Sequence, residues 1–376
     1  MRINGGKNML RSMYSGISGM KVNQAKLDVI GNNIANVSTT AFKASSARFS
    51  DMLYQNSSTA TSPTSTKGGT NAKQVGLGAK LASIDRVMSQ GNALSTGRSL
   101  DTCVDGEGYF IVGSGIIDYA GAGSTLNDNM SITGGNMSVN YTRDGNFQLD
   151  YEGNLVTSDG YRVMGYLVTA KTYDKDGNEI TDGAPVSQPS SIDENGVGQY
   201  VDADGVIKAV DNKTLQPLRI PDSVHVPEYT DSDGNVIPAS DQKVQSFTIG
   251  KDGIITAVLA NGSRTALGQV AMASFKNPAG LTAVGGNLYE ASSNSGAVLV
   301  KTPINIDKNE DGSAADTNLD NSKGFGDLIQ GCLEASNVDL TEQFTDMITA
   351  TRAFQASSKM INTADEILQT VTGLMR

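Results

Sequence analysis

The chain of 376 residues is long enough for two or three domains of ordinary size, and it holds no apolar run long enough to cross a bilayer as a helix. Acidic residues outnumber basic ones 40 to 29, for a formal charge of -11 and a pI near 4.6, which argues against a nucleic-acid partner held through phosphate contacts. Glycine stands at 42 residues, about 11% against an average of roughly 7%, beside one histidine and no tryptophan, the composition of a turn-rich β body poor in residues that do chemistry.

The opening "MRINGGKNM" is slightly basic but leads into neither an apolar core nor a small-residue cleavage site, so no secretory signal is expected, and Met9 is a second plausible start. From Leu10 the apolar residues Met13, Ile17, Met20 and Leu27, then Ile30, Ile34 and Val37, recur in steps of three and four, with one shift of register at Gln24. Such a narrow stripe is the seam of a coiled coil more than the broad face of a globular helix. Gly31, Asn32, Asn33 and Asn36 interrupt it and should weaken an isolated helix by roughly 2 to 3 kcal/mol. Either the helix ends near Gly31 with an asparagine as cap, or it continues, Gly31 admits a neighbouring backbone and the amides fix register between packed helices.

Residues 56–74, rich in Ser, Thr and Gly and almost without apolar side chains, read as an extended or mobile linker. Strand grammar follows. "GYFIVG", "YTRDGNFQLDYEGNLVTSDGYRVMGYLV" and "QSFTIGKDGIITAVLANGSRTALGQVAMASF" alternate short β-rich runs with Asp-Gly, Glu-Gly and Asn-Gly turns, the pattern of successive antiparallel hairpins. Between them, residues 171–243 are richer in Asp, Pro and Gly and look inserted into that body.

Chemistry-bearing signals are weak. Asp307, Asn309, Asp311 and Gly312 match the start of a calcium loop, but Asn318 stands where a bidentate Glu belongs and no amphipathic helix precedes it, so a turn is expected and no metal. "DKDG" at 174–177 and "DSDG" at 231–234 are weaker still. His225 has no partner suggested by sequence and reads as a lone surface histidine. Cys103 and Cys332 form no CxxC pair and no disulfide framework and read as two small buried or idle thiols. No cofactor and no catalytic constellation is expected.

The last forty residues form a second long seam helix. Met347, Phe354, Ile361, Leu368 and Met375 recur every seven positions, with Leu340, Phe344, Ala364 and Val371 filling the row between them. Ser336, Asn337 and Asp339 are all good N-caps, and Glu342 lies three residues after Asp339 as in a capping box. Phe354 lies in the seam; Arg352 lies off it, either solvated or paired with a neighbouring subunit. Two one-stripe helices cannot both be satisfied by a β domain between them, so they are expected to bury their stripes against each other and against other copies. The expected class is therefore α+β: long terminal helices pairing as a coiled coil (9–55 and 325–376), a linker and extended segment (56–90), a discontinuous β domain (91–170 and 244–324), and an inserted outer β domain (171–243).

"LDVIGNNIANVSTTAFK", residues 27–43, resembles the N-terminal signature of the flagellar rod and hook protein family, with Phe42 and Lys43 matching its end and Ala41 standing where the family usually has Gly. "GCLEASNVDLTEQFTDMITATRAFQASSKMINTADEILQ" resembles the other signature, with Thr351 where a Gln commonly precedes the Arg. "VDGEGYFIV", "YTRDGNFQLDYEGNLVTSDGYRVMGY" and "GQVAMASFKNPAGLTAVGGNLYEAS" are similar to the family's β segments, in the family's order. The resemblance implies an axial subunit whose terminal helices pair in an inner tube and whose β domains form outer shells, with ends disordered until polymerised. It also implies export through the flagellar export apparatus without a cleaved signal peptide, self-polymerisation, contacts with hook cap, distal rod and hook-filament junction proteins, and neither nucleic acid nor membrane insertion. Within the family, the 171–243 section and the resemblance of "MLRSMYSGISGM" to hook starts favour the hook over the distal rod. A surface adhesin or surface-layer subunit is the other class such a sequence suits, and it would carry a cleaved signal or an anchor.

Overall fold

The computed structural model describes residues 5–115, 124–126, 132–133, 137–171, 188–192, 196–204, 206–210, 214–230, 236–301 and 326–374. The chain divides into two units, Met1–Ser89 with Ser336–Arg376, and Gln90–Ala335.

The first unit holds α1 (Gly5–Ala35), four strands, β1 (Ser45–Asp51), β2 (Tyr54–Ser58), β3 (Lys73–Gly76) and β4 (Ala79–Arg86), and α2 (Leu340–Leu374). The expected linker is not free chain. β1 pairs antiparallel with β4 and β2 with β3, and bridges Thr61 to Thr70 and Thr64 to Lys67 carry the pairing to the tip of one long hairpin arm. With few apolar groups to bury, the arm holds itself by cross-strand polar contacts, such as the Thr61 and Thr70 hydroxyls 2.7 Å apart and Gln74 donating to Asn56 at 2.7 Å. The segment is extended, as composition implies, because it is paired.

The second unit is β in its described residues apart from one short 3-10 turn at Pro278–Gly280. Strand Tyr109–Gly115 is its hub, antiparallel to Met137–Thr142, Arg162–Tyr166 and Met272–Phe275. Strands Ser240–Ile249, Ile254–Leu259 and Arg264–Val270 form the meander that the Asp-Gly and Asn-Gly turns predict, with Gly253 and Gly262 at φ 83° and 85° where a side chain would be strained. Strands of the 171–243 section are woven into the same sheet: Thr214–Pro217 pairs with Arg162–Tyr166, and Ser223–Val226 with Ser240–Ile249, while Val206–Ala209 pairs with Val168–Lys171 and Tyr229–Thr230 with Val236–Ile237 in separate two-stranded ribbons. Tyr200, Leu218, Ile220, Val224 and Val226 share one core with Val104, Phe110, Phe147 and Leu155. His225, read as alone, faces Asp241 across that pairing, Nδ1 to Oδ1 at 2.6 Å, both side chains substantially exposed. Residues 307–318, 174–177 and 231–234 lie outside the described residues.

The two ends of the second unit run side by side. Asp327–Gln330 pairs with Thr102–Asp105 and Cys332–Glu334 with Ala93–Ser95. A buried ion pair locks them: Arg143 donates to Glu334 at 2.7 Å and to the carbonyls of Gly108, Val104 and Gly106, while the other Glu334 oxygen accepts the Gly91 amide at 2.9 Å. Each charge thus has its hydrogen bonds satisfied, the condition under which a buried pair is tolerated. Both cysteines are free thiols in this region; Cys103 is buried and Cys332 half-buried, and burial first, then the nearby Cys332 and Glu334, pushes the Cys103 thiol up to about 11.

Two outcomes follow for this unit. Arg143→Met should cost about 3 to 5 kcal/mol, read as the urea midpoint, because it strands Glu334 in the interior. Iodoacetamide at neutral pH should alkylate Cys332 well before Cys103, since the thiolate is the nucleophile and a raised pKa withholds it; mass mapping of the labelled peptides reads the order.

Candidate assembly site

Within the first unit, α1 and α2 run antiparallel. Gly16 lies against Ile361 and Gly19 against Ser357, so that a Cβ on either glycine would stand 3.2 Å from the nearest side-chain atom. Further along, Lys26 pairs with Asp346 at 3.2 Å and Asn33 reaches Gln343. Small residues at i and i+3 in "SGISG" let the helices approach; that was the available signal for Gly16 and Gly19, which the periodicity of large apolar residues passes over. Gly31, by contrast, is exposed with nothing within 4 Å of where its Cβ would be, so no neighbouring backbone of this chain uses it.

The asparagines have separate duties. α1 continues through Gly31 to Ala35, and Asn33 is 1% exposed. Its amide nitrogen donates to the Ser45 carbonyl at 2.8 Å and to Gln343 Oε1 at 3.0 Å, and its oxygen accepts the Ser45 N–H at 2.9 Å. One side chain therefore ties α1, the start of β1 and α2. Asn32 is exposed, and Asn36 donates to its carbonyl and side chain, finishing the last turn. The chain then turns through Ala41, buried in the left-handed region at φ 54°, a conformation costing an L residue roughly 1 to 2 kcal/mol. Phe42 is half-buried, and Lys43, 2% exposed, donates to the Ser89 carbonyl at 2.7 Å.

Asn337 answers from the other terminus. Its oxygen accepts the Ala44 N–H at 2.7 Å, and its nitrogen donates to the carbonyls of Val87 and Ser89. It is an anchor, and Asp339 is the cap: its Oδ1 accepts the N–H groups of Thr341 and Glu342 at 2.8 and 3.3 Å.

Along α2, the buried or half-buried positions Gln343, Met347, Ala350, Phe354, Ser357, Ile361, Ala364 and Leu368 step by four and three. On α1, Leu27 and Ile34 are half-buried and Ile30 buried. Leu340 and Phe344 fall outside the covered row of α2; with Ile348 they make an exposed apolar patch on one flank of that row, 40, 50 and 62% exposed, while Met360, Ile367, Val371 and Leu374 make a second exposed patch on its other flank. Arg352 is exposed and makes no ion pair among the described residues. Also among the described residues, no three His, Cys, Asp or Glu side chains gather as metal ligands, and no helix is long and apolar enough to cross a membrane.

Comparison with known proteins identifies the family. Family models match at residues 13–43 (flagella basal body rod protein), 127–257 (flagellar hook protein FlgE/F/G D1 domain) and 329–374 (flagellar basal body rod FlgEFG protein C-terminal). The flagellar basal-body rod protein FlgG of Bacillus subtilis is 38% identical over 368 residues, covering 98% of this chain and 100% of its own. The chain belongs to the flagellar hook and basal-body rod FlgE/F/G family. Both kinds of member resemble it in Borreliella burgdorferi: hook protein FlgE, 29% identical over 478 residues (97% of this chain, 100% of its own), and rod protein FlgG, 28% over 369 (98% and 100%).

Asn33→Ala leaves both Ser45 backbone groups and Gln343 short of a partner and should destabilise the first unit by about 2 to 3 kcal/mol, whereas Asn32→Ala should be neutral or slightly stabilising. Urea unfolding of the full-length chain, followed by the far-ultraviolet helix signal, measures both.

Proposed function

We propose that this chain is a structural subunit of the axial tube of the bacterial flagellum, polymerising through its terminal helices, and that its segment is the hook. The observation that carries the polymer is a pair of exposed apolar patches on α2: Leu340, Phe344 and Ile348 on one flank near its start, and Ile367, Val371 and Leu374 on the other flank near its end, stay exposed while the row between them is covered. A helix apolar on two sides needs two partners, and α1 supplies one of them. In a helical polymer of identical subunits the other is the next copy, and the paired seams amount to a coiled coil. Subunits of this kind leave the cell through the flagellar export apparatus and sit between the rod, the cap that guides hook growth and the junction to the filament.

The hook assignment is supported by the start at residues 9–20 and by the polar character of the second unit. A tube that bends while rotating needs outer contacts that slide between alternatives, and turn-rich acidic surfaces exchange contacts more readily than apolar ones. The distal rod is the second reading, favoured by length: the Borreliella hook alignment spans 478 positions against a chain of 376, while the rod alignment spans 369.

Replacing Phe344 and Ile348 by Ser should abolish polymer while shifting the stability of the second unit by no more than about 0.5 kcal/mol, as for surface substitutions generally. Polymer of normal length from this variant overturns the reading. Immunogold labelling of isolated hook-basal bodies with antibody to residues 171–243 separates the segments: gold along the curved external piece is the hook, gold confined to the straight piece beneath it the rod.

A further inference from the structure

Beside the α1–α2 contact, the first unit carries an open apolar groove of about 580 Å³ between the first turns of α1 and the base of the hairpin arm. Tyr14 and Ile17 line one wall and Met52 and Leu81 the other, each more than a third exposed. Arg11, Lys21 and Lys80 stand at its edge and make no ion pair among the described residues. The chain's own α2 cannot fill it: Gly16 and Gly19 mark where α2 lies, and on a helix of 3.6 residues per turn positions 14, 17 and 21 point to the opposite side.

We propose that this groove receives the last turns of α2 from a second copy of the chain. The proposal rests on the axial-subunit reading above and names two surfaces that meet. Charge and size both select this occupant. Between Lys359 and Arg376 the sequence carries Asp365 and Glu366 and no basic residue, and Glu366 stands on the flank of the exposed apolar face, where it can meet the basic rim. Its exposed Ile367, Val371 and Leu374 recur at i, i+4 and i+7 on one face, the anchor spacing of a helix laid in a groove. They span about 10 Å, against about 16 Å of α1 between residues 11 and 22, so the wall is long enough to take all three. The other exposed end of α2 fits less well, since Asp346 is already engaged by Lys26.

The test uses full-length chains. Polymer grown from an equal mixture of Leu81→Cys and Leu374→Cys, each also carrying Cys332→Ser, treated with a short bismaleimide, should give a covalent dimer containing one of each variant and absent from polymer of either variant alone. Normal polymer without that mixed dimer overturns the groove assignment and leaves the axial reading standing; a parent chain that never polymerises overturns the reading beneath it. If the cysteine variants do not assemble, a charge exchange decides. Lys21→Glu with Lys80→Glu should lower polymer yield about tenfold, and adding Asp365→Lys with Glu366→Lys should restore it; failure of that rescue overturns the proposal.

Discussion

Two side-chain amides fix where the chain leaves one helix and where it enters the other. Asn33 grips both backbone groups of Ser45, and Asn337 grips the amide of Ala44 one residue away, so neighbouring backbone positions are held from opposite termini of the sequence. Around that junction the tight features accumulate: the left-handed turn at Ala41, the buried ammonium of Lys43 on the Ser89 carbonyl, and the cap at Asp339. The first two would be costly alone, and the cap offsets part of that cost. Together they leave the chain one path from α1 into β1, and the helices inherit their relative register from it through the link between Asn33 and Gln343.

Close approach and covered apolar area divide the remaining work between the helices. Gly16 and Gly19 bring α2 near enough for side chains to meet backbone, while the four-and-three row from Met347 to Leu368 supplies the apolar contact. This covers one side of each helix and leaves Tyr14 and Ile17 of α1, like the flanks of α2, exposed. The first unit is therefore ordered internally by polar specificity and left with exposed apolar area on both helices.

Much of this was legible from residue order, and what was not has identifiable causes. Hairpin turns at Gly253 and Gly262 announced themselves because Asp-Gly and Asn-Gly have a local conformational reason to be there. Both helices were visible through the spacing of large apolar residues, but that spacing does not say which side a partner takes, and so Leu340 and Phe344 were placed in the same row as Met347 although the structure leaves them outside it. Asparagines in α1 were visible as an anomaly; their partners, at Ser45 and Gln343, are long-range and could not be read. The hairpin arm was hidden for a different reason: serine and threonine composition suggests free chain, whereas strand pairing needs only backbone groups and a suitable partner run. His225 and Asp241 came together through a register between two strands that no local pattern encodes.

The side-by-side course of residues 93–105 and 327–334 means that the second unit begins and ends at one place. The chain makes a closed excursion from the helical unit and returns to its point of departure, clasped there by Arg143 and Glu334. Material added or removed anywhere along that excursion does not alter the span the helical unit must bridge. The second unit can thus be enlarged, trimmed or exchanged while the ends that enter and leave it stay together.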